Sequence, residues 1–467
     1  MKIIVLNGSP KGVTSTTLQY VRFIQVRFPQ HEYQIVPIAH ERDKILGDEG
    51  CFRQVLNDIR AADGVLWAFP VYSLLVHSHV KQFIERVFAR NAQGAFAGKY
   101  AASLSTSIHF FDNIAHSYVH AICDDWDMRY VGAHSAWVYD LLGREGKEQL
   151  TRFAAGFLSA IDNQVATAKA FDPVVHRRFE YVPSPPRQKR PIGAKNLLIL
   201  TDSEDEDGNV ARMVHRFREG LEHAPEAVNL HQLAIRTACI GCFQCGADGL
   251  CAFRDLDDLH EFYTTRLAHA DIVVMAGAIK DRYLSSRWKV YFDRGFFRPV
   301  IPWLPGKQVA FLVSGPLKQV PNLRQIFEGY TDFHQGNLVG IVTDECEDSP
   351  HIDRMLDGLA ARLLTFAENG YVAPRTFLGV GSTKIFRDKT WGMLRPVFQE
   401  AYRYYRKHGM YDFPHSNIRH RAISLSGMLM TSIPPFRKRF FKVLDAHIVK
   451  SLQRAVAKEA RKQRRKR

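Results

Sequence analysis

Four cysteines fall within thirteen residues of this chain, CIGCFQCGADGLC at 239–251, while Cys51, Cys123 and Cys346 stand alone elsewhere. Their spacing is C-x2-C-x2-C-x5-C. Thiolates are the usual ligands of iron–sulfur clusters, and four in one short glycine-containing loop can fold around a cube of iron and sulfide. Zinc more often takes two C-x2-C pairs set well apart, because a tetrahedral site closes when two knuckles meet. Successive x2 spacings therefore suit a cluster better than zinc. A loop of structural thiols without metal is the third reading. The candidate ligands are Cys239, Cys242, Cys245 and Cys251.

A second constellation lies near the N-terminus. NGSPKGVTSTT at 7–17 follows an apolar run and precedes a helical pattern. Gly8 permits a tight turn there, and Ser9, Thr14, Ser15, Thr16 and Thr17 offer hydroxyls and backbone N–H groups around a helix N-terminus, which is how a phosphate is held. Neither the G-x-x-x-x-G-K-[ST] spacing of nucleotide hydrolases nor the G-x-G-x-x-G of dinucleotide folds is present. Further on, Pro70 and Tyr72 in FPVYSLLVHS can give a rigid backbone edge and an aromatic face to a flat ring. STSIHFF at 105–111 adds hydroxyls and His109.

These loops need strands to hold them. KIIVLN, YQIVPI, GVLWAF, AASLSTS and GAHSAWV are short apolar runs separated by helical patterns such as TTLQYVRFIQVRF and HVKQFIERVFAR, the signature of β-α-β units in a parallel, doubly wound sheet. The series begins again at NLLILT and continues through AVNLHQL, DIVVMAG, QVAFLVS and LVGIVTD. Residues 6–16 lie over 200–210 at an offset of 194, and from Ala62 the offset becomes 208, pairing Ala62, Asp63, Lys81, Arg86, Gly98, Lys99 and Gly132 with Ala270, Asp271, Lys289, Arg294, Gly306, Lys307 and Gly340. Constant offsets of this kind indicate an internal duplication. The second copy gains 14 residues between its second and third strands, and the cysteine loop lies in that interval. The fold class expected is α/β: two tandem doubly wound, parallel five-stranded sheets plus a helical, basic C-terminal extension. The expected divisions are 1–170, a linker 171–195, 196–371 carrying the four cysteines, and 372–467.

NGSPKGVTSTT, then FPVY followed by HVKQFIER, resembles the flavodoxin-like NAD(P)H-dependent FMN reductases over most of residues 1–140. The resemblance implies that Ser9, Lys11, Ser15, Thr16 and Thr17 surround the FMN phosphate. It also implies that Pro70, Val71, Tyr72 and Ser73 line the isoalloxazine; Ser105, Thr106 and His109 of the third loop are further candidates from their residue types alone. Lys11 replaces the family's usual Arg and Ser15 its usual Asn, and a lysine offers a point charge instead of a fork. The second copy has Glu204, Asp205, Glu206 and Asp207 where the phosphate should sit, and Ala278-Ile279-Lys280 in place of Pro70-Val71-Tyr72, so FMN is not expected there. C-x2-C-x2-C-x5-C, Asp257-Asp258-Leu259 and Lys289–Arg294 resemble the iron–sulfur flavoproteins, a branch of the same superfamily. In that branch the flavin of one subunit lies beside the cluster of the next. The chain thus looks like such a dimer fused and divided, the first copy keeping FMN and the second a [4Fe-4S] cluster. The resemblance implies an oxidoreductase passing electrons between NAD(P)H or a reduced ferredoxin-like carrier and an acceptor such as a quinone. A simpler FMN-dependent NAD(P)H reductase without cluster, acting on quinones, nitroaromatics or free flavin, is the alternative, and a non-catalytic binding protein the third.

Hydrophobic content of 46% with 24% charged residues is that of an ordinary globular chain. No window is apolar enough to span a membrane and MKIIVLNGSP is no signal peptide, so a cytoplasmic location is expected. The net charge of +15 is concentrated: Arg437–Arg467 holds 13 Lys or Arg against Asp445 and Glu459. The body is near neutral, which argues against a nucleic-acid partner for it. Phe436, Phe440, Leu444, Ile448 and Leu452 recur at spacing four in the basic tail, an amphipathic stripe suited to self-packing or to peripheral contact with an anionic membrane. Each basic residue near such a surface contributes up to about 1 kcal/mol, within a Debye length of about 8 Å at physiological salt. Sedimentation with anionic vesicles is therefore expected to show weak binding at low salt that is lost at high salt and on deletion of residues 422–467, with flavin content unchanged.

Overall fold

The computed structural model describes residues 1–298, 300–412, 418–436 and 439. Apart from Phe436 and Arg439, the basic tail and its spacing-four stripe lie outside the described residues. The chain forms two compact units, Met1–Tyr404 and Tyr405–Arg467.

The first copy runs β1 (Lys2–Asn7), α1 (Thr16–Arg27), β2 (Glu32–Val36), α2 (Arg42–Gly47), α3 (Glu49–Arg60), β3 (Gly64–Pro70), α4 (Ser78–Ala89), β4 (Tyr100–Ser107), α5 (Asp112–Asp125), β5 (Arg129–Trp137) and α6 (Arg144–Asp162). The second runs β6 (Leu197–Thr201), α7 (Asn209–Glu219), β7 (Glu226–Asn229), α8 (Leu259–Glu261), β8 (Ile272–Ala278), α9 (Ser286–Arg294), β9 (Gln308–Ser314), α10 (Pro321–Phe333), β10 (Asn337–Thr343) and α11 (Ser349–Asn369). The extension contributes α12 (Phe377–Trp391) and α13 (Gln399–Lys407), and the second unit holds α14 (Ile418–Ser432). Along α14, Ile423, Leu425, Leu429 and Met430 are exposed. No described helix is long and apolar enough to cross a membrane.

Both sheets are five-stranded and parallel, ordered β2-β1-β3-β4-β5 and β7-β6-β8-β9-β10. The two orders are the same once each copy's strands are counted from its own first. β2 and β7 begin 194 residues apart, at Glu32 and Glu226, whereas β3 and β8, β4 and β9, β5 and β10, and α4 and α9 begin 208 apart. The offsets read in the sequence are thus the offsets of the elements. Buried strand residues such as Ile3, Val5 and Leu66 in one copy, and Ile199, Ile272 and Val274 in the other, form a separate core in each.

The two copies meet through α4 and α9. Ser78 at the start of α4 donates its backbone N–H to Asp293 Oδ2 on α9 at 2.9 Å, and Ser286 at the start of α9 donates to Glu85 Oε1 on α4 at 2.7 Å. Each carboxylate meets the positive N-terminal end of the opposite helix. The two serines, like the two carboxylates, are related by the 208 offset, so this is an isologous contact of the kind that joins a symmetric dimer, here made within one chain. Lys81, fully buried, bonds Glu85 at 2.7 Å and Asp281 at 2.9 Å, while its counterpart Lys289 pairs with Asp293. Burial opposes the charge on Lys81, but Asp281 and Glu85 carry it above the ordinary lysine value.

The 171–195 segment is not a loose tether. It contains no helix, yet Tyr181 is fully buried, its N–H donating to Asn209 Oδ1 at 2.8 Å and its hydroxyl to Asp353 at 2.5 Å, and Ser184 N–H donates to the same carboxylate at 3.1 Å. The segment is thereby fixed to the second copy. Lys81→Met leaves Asp281 buried without its cation and is expected to lower unfolding stability by about 3 kcal/mol or more in urea titration. The double change with Asp281→Leu is expected to restore most of it.

Candidate functional site

The glycine loop after β1 and the start of α1 form one wall of a cavity of about 400 Å³. Ser9, Lys11, Thr16 and Thr17 line it, and Thr17 Oγ1 lies 2.6 Å from Thr106 Oγ1 at the end of β4, tying two loops together. Pro70, Val71 and Tyr72, after β3, supply an apolar edge, and Thr106 and Ser107 add hydroxyls. Such a volume, mostly apolar with a few convergent polar groups, is that of a cofactor-sized site.

Four of the expected residues are used otherwise. Ser15 is fully buried and caps α1, its Oγ accepting the Leu18 N–H at 3.1 Å, so its hydroxyl serves the helix and not the cavity. Ser105 faces the opposite side of the strand from Thr106 and bonds His116 Nε2 at 2.8 Å. Burial lowers His116 to about 4. Ser73 lies beyond the cavity, its N–H directed at Asp293 Oδ1 at 3.4 Å. His109 takes a left-handed turn, φ +66°, and places Nδ1 2.9 Å from Asp112 Oδ2, which holds its pKa above the ordinary value. Its neighbours Ile108 and Phe110 reach the cavity instead.

The remaining wall comes from parts of the chain that single-copy reasoning does not reach. Gly241 and Phe243, from the cysteine loop, and Phe296, just past α9, line the same cavity. Phe296 stacks on Tyr72 with ring centroids 6.2 Å apart, and Lys11 Nζ lies 4.3 Å from the centre of the Phe243 ring, a cation–π contact between copies. Burial lowers the Lys11 pKa, with the Cys239 and Cys242 thiols opposing the shift. Phe296 was accessible in principle, since it pairs with Phe88 at the 208 offset. Phe386, Leu394, Val397 and Phe398 of the extension close the cavity further. They have no counterpart in the repeat, so no sequence signal pointed to them. Val138 and Tyr139, past β5, were also missed.

The four cysteines surround a second, smaller cavity together with Phe253 and Arg294. None is in a disulfide. Cys245 and Cys251 are buried, Cys239 is half-buried and Cys242 is exposed. Burial pushes the Cys239 thiol up to about 12, and Cys245 is raised by burial and by the nearness of the other three. Arg294 forks onto Asp257 at 2.7 and 2.9 Å and directs Nη2 to Cys251 Sγ at 3.6 Å, so two residues singled out in the sequence clamp the end of the loop. The other end is held by His77, whose Nε2 donates to the Cys239 carbonyl at 2.8 Å while Nδ1 accepts the His79 N–H at 3.2 Å. Burial lowers His77 to about 3, so it is neutral, as this pair of bonds requires. Gly241, at φ +64°, has no room for a Cβ, which would fall 2.2 Å from Tyr72 Oη. Among the described residues, no group of three or more His, Cys, Asp or Glu side chains closes into a metal-ion site. All four cysteines nonetheless line one cavity, about 20 Å³ in volume. Gly241, Phe243 and Phe296 border both cavities and form a common wall.

The equivalent crevice of the second copy, about 870 Å³, has Glu204 and Asp205 in the place of the first copy's phosphate loop, with Phe88 of the first copy at its rim where Phe296 stands in the other. Carboxylates there repel a phosphate.

Residues 1–138 match the family described as NADPH-dependent FMN reductase. No significant match to a curated protein is found. Among solved structures, the chain is similar to an NADH:FMN oxidoreductase (22% identity, 34% of this chain and 89% of that one, TM-score 0.30). It is also similar to the NAD(P)H:(acceptor) oxidoreductase FerB from Paracoccus denitrificans (18% identity, 35% and 97%, TM-score 0.28). A third is an FMN-dependent NADH-azoreductase from Bacillus anthracis in complex with FMN (10% identity, 35% and 99%, TM-score 0.26). Lys11→Glu places a carboxylate in the proposed phosphate wall and is expected to weaken FMN binding about tenfold or more, about 1.4 kcal/mol. Lys11→Arg is expected to retain binding, both read by quenching of flavin fluorescence on titration.

Proposed function

We propose, on the match of residues 1–138 to the NADPH-dependent FMN reductase family, that this chain is a flavin-dependent electron-transfer oxidoreductase. It carries FMN in the first copy and a [4Fe-4S] cluster on Cys239, Cys242, Cys245 and Cys251 of the second. The observation that carries this reading is the common wall: Gly241, Phe243 and Phe296 separate the flavin-sized cavity from the cavity of the four thiols. Four cysteines of one loop line that small space, and thiolates are the donors a cluster takes.

Bound FMN accepts or releases a hydride equivalent and also exchanges single electrons, which links two-electron and one-electron partners. The chain's own residues supply position. Ser9, Lys11, Thr16 and Thr17 offer hydroxyls and a cation to the phosphate, and the N-terminal turn of α1 adds its partial positive charge. Pro70, Val71 and Tyr72 offer a flat edge to the ring. His77 and Arg294 fix the two ends of the cysteine loop, so the thiol cavity keeps its place against Tyr72. NAD(P)H or a reduced carrier as donor, and a quinone or second carrier as acceptor, are the partners that flavin chemistry by itself allows, before the access to the ring is considered.

Purification without air is expected to give protein with a flavin band, broad absorbance of a cluster, and about four iron and four sulfide per chain. Changing the four cysteines to serine is expected to remove iron and sulfide while FMN remains. A flavin spectrum with no iron in the parent protein would leave the simpler reading, an FMN-dependent NAD(P)H reductase with structural thiols.

A further inference from the structure

The segment after residue 371 lies outside the matched family region and outside the internal repeat, yet it covers the flavin-sized cavity. Asp332 of α10 anchors its start: Oδ2 accepts the backbone N–H groups of Thr376 and Gly379 at 3.0 and 2.9 Å and the Thr376 hydroxyl at 2.6 Å. α12 then crosses the first copy, with Phe386 packed on Phe110 (centroids 4.8 Å) and Lys389 Nζ 3.7 Å from the centre of the Trp137 ring. Past Gly392 the chain turns over the cavity. Leu394, Val397 and Phe398 line it, and Leu394 and Phe398 are themselves buried. Phe398 meets Phe243 of the cysteine loop edge-on at 5.9 Å, and Arg403 donates to the Ala247 carbonyl at 2.5 Å. Gly246 lies so close beneath that a Cβ would strike the Val397 carbonyl oxygen. The strap therefore has footholds on the first copy, on α10 and on the cysteine loop.

A hydride donor must lay its ring against the flavin, because the transferred atom passes between carbons in near contact. The space, about 400 Å³, is at the low end for a ligand site, which leaves little room beside one bound cofactor. We propose that Leu394, Val397 and Phe398 are specificity-determining residues that occupy the place of a second planar ring. They bar nicotinamides and flat quinones from stacking on the flavin and restrict it to partners that exchange electrons without entering the cavity. This rests on the reading that FMN fills the cavity, and it narrows the family's nicotinamide chemistry to what the extension of this chain permits.

The test uses the full-length flavin-loaded protein, parent and Leu394→Ala/Phe398→Ala, in anaerobic stopped flow with NADPH or with dithionite, a one-electron reductant. The parent flavin is expected to be reduced by dithionite and only slowly, without saturation, by NADPH. The double variant is expected to react with NADPH at least about tenfold faster, a barrier change of about 1.4 kcal/mol, while its rate with dithionite, which needs no ring stacking, rises far less. A second measurement needs no variant: titrating the parent with oxidised NADP⁺ is expected to leave the flavin spectrum unperturbed. Saturable perturbation by NADP⁺, rapid saturable reduction of the parent by NADPH, or a double variant no faster than the parent overturns the proposal. Protein that binds no FMN at all overturns the underlying reading of the cavity instead.

Discussion

Everything in the first unit depends on an exchange of carboxylates between two helices. Glu85 reaches the N-terminus of α9 and Asp293 the N-terminus of α4, with Lys81 and Lys289 buried beside them. Lys81, Lys289 and Asp293 are sealed from water and Glu85 is partly so, and such charges tolerate little displacement, since a buried carboxylate removed from its lysine and from the opposing N–H group bears its desolvation cost. The contact therefore sets a register between the copies and does more than hold them together. That register brings Phe296, immediately past α9, onto Tyr72, immediately past β3. It also sets the cysteine loop against the β3–α4 loop, where the neutral His77 can reach the Cys239 carbonyl. The flavin-sized cavity and the thiol cavity are neighbours because two helices cannot slide.

Much of this was legible in the chain. The change of offset from 194 to 208 locates the inserted cysteine loop between β7 and β8, and the strands obey it because parallel strands buried on both faces tolerate insertions only in the loops between them. Ser9, Lys11, Thr16, Thr17 and the Pro70–Tyr72 edge were legible as well, for the loops after β1 and β3 always open at the carboxyl end of such a sheet. Ser15 was not, because one hydroxyl can cap a helix or hold a phosphate and composition does not say which. Ser105 differs from Thr106 only by the alternation of the strand, and that alternation becomes readable once the register against β3 is known. His109 belongs to a left-handed turn that no pattern announces. The contributions of Phe243, Phe296 and Phe398 depend on contacts of segments more than 200 residues distant from the first loop, and periodicity carries no information over that range.

The common wall also explains the glycines of the cysteine loop better than chain flexibility does. Gly241 and Gly249 adopt φ of +64° and +79°, and each has a side chain pressed where its Cβ would be, Tyr72 in one case and Glu400 in the other. Left-handed backbone and close approach coincide at both. The loop is thus shaped on one side by the flavin loops and on the other by the extension.

The segment that joins the copies has a consequence for heredity as well as for structure. In a two-fold homodimer every substitution appears twice, so a change that improves one site is imposed on the other. Here residues 171–195 are fixed to the second copy through Tyr181 and Ser184, and the halves meet at a local concentration that dilution does not alter. One half could exchange its phosphate loop for carboxylates while the other gave up, or never acquired, four thiols. Within one chain the pair is asymmetric, and a substitution in one crevice leaves the other as it was.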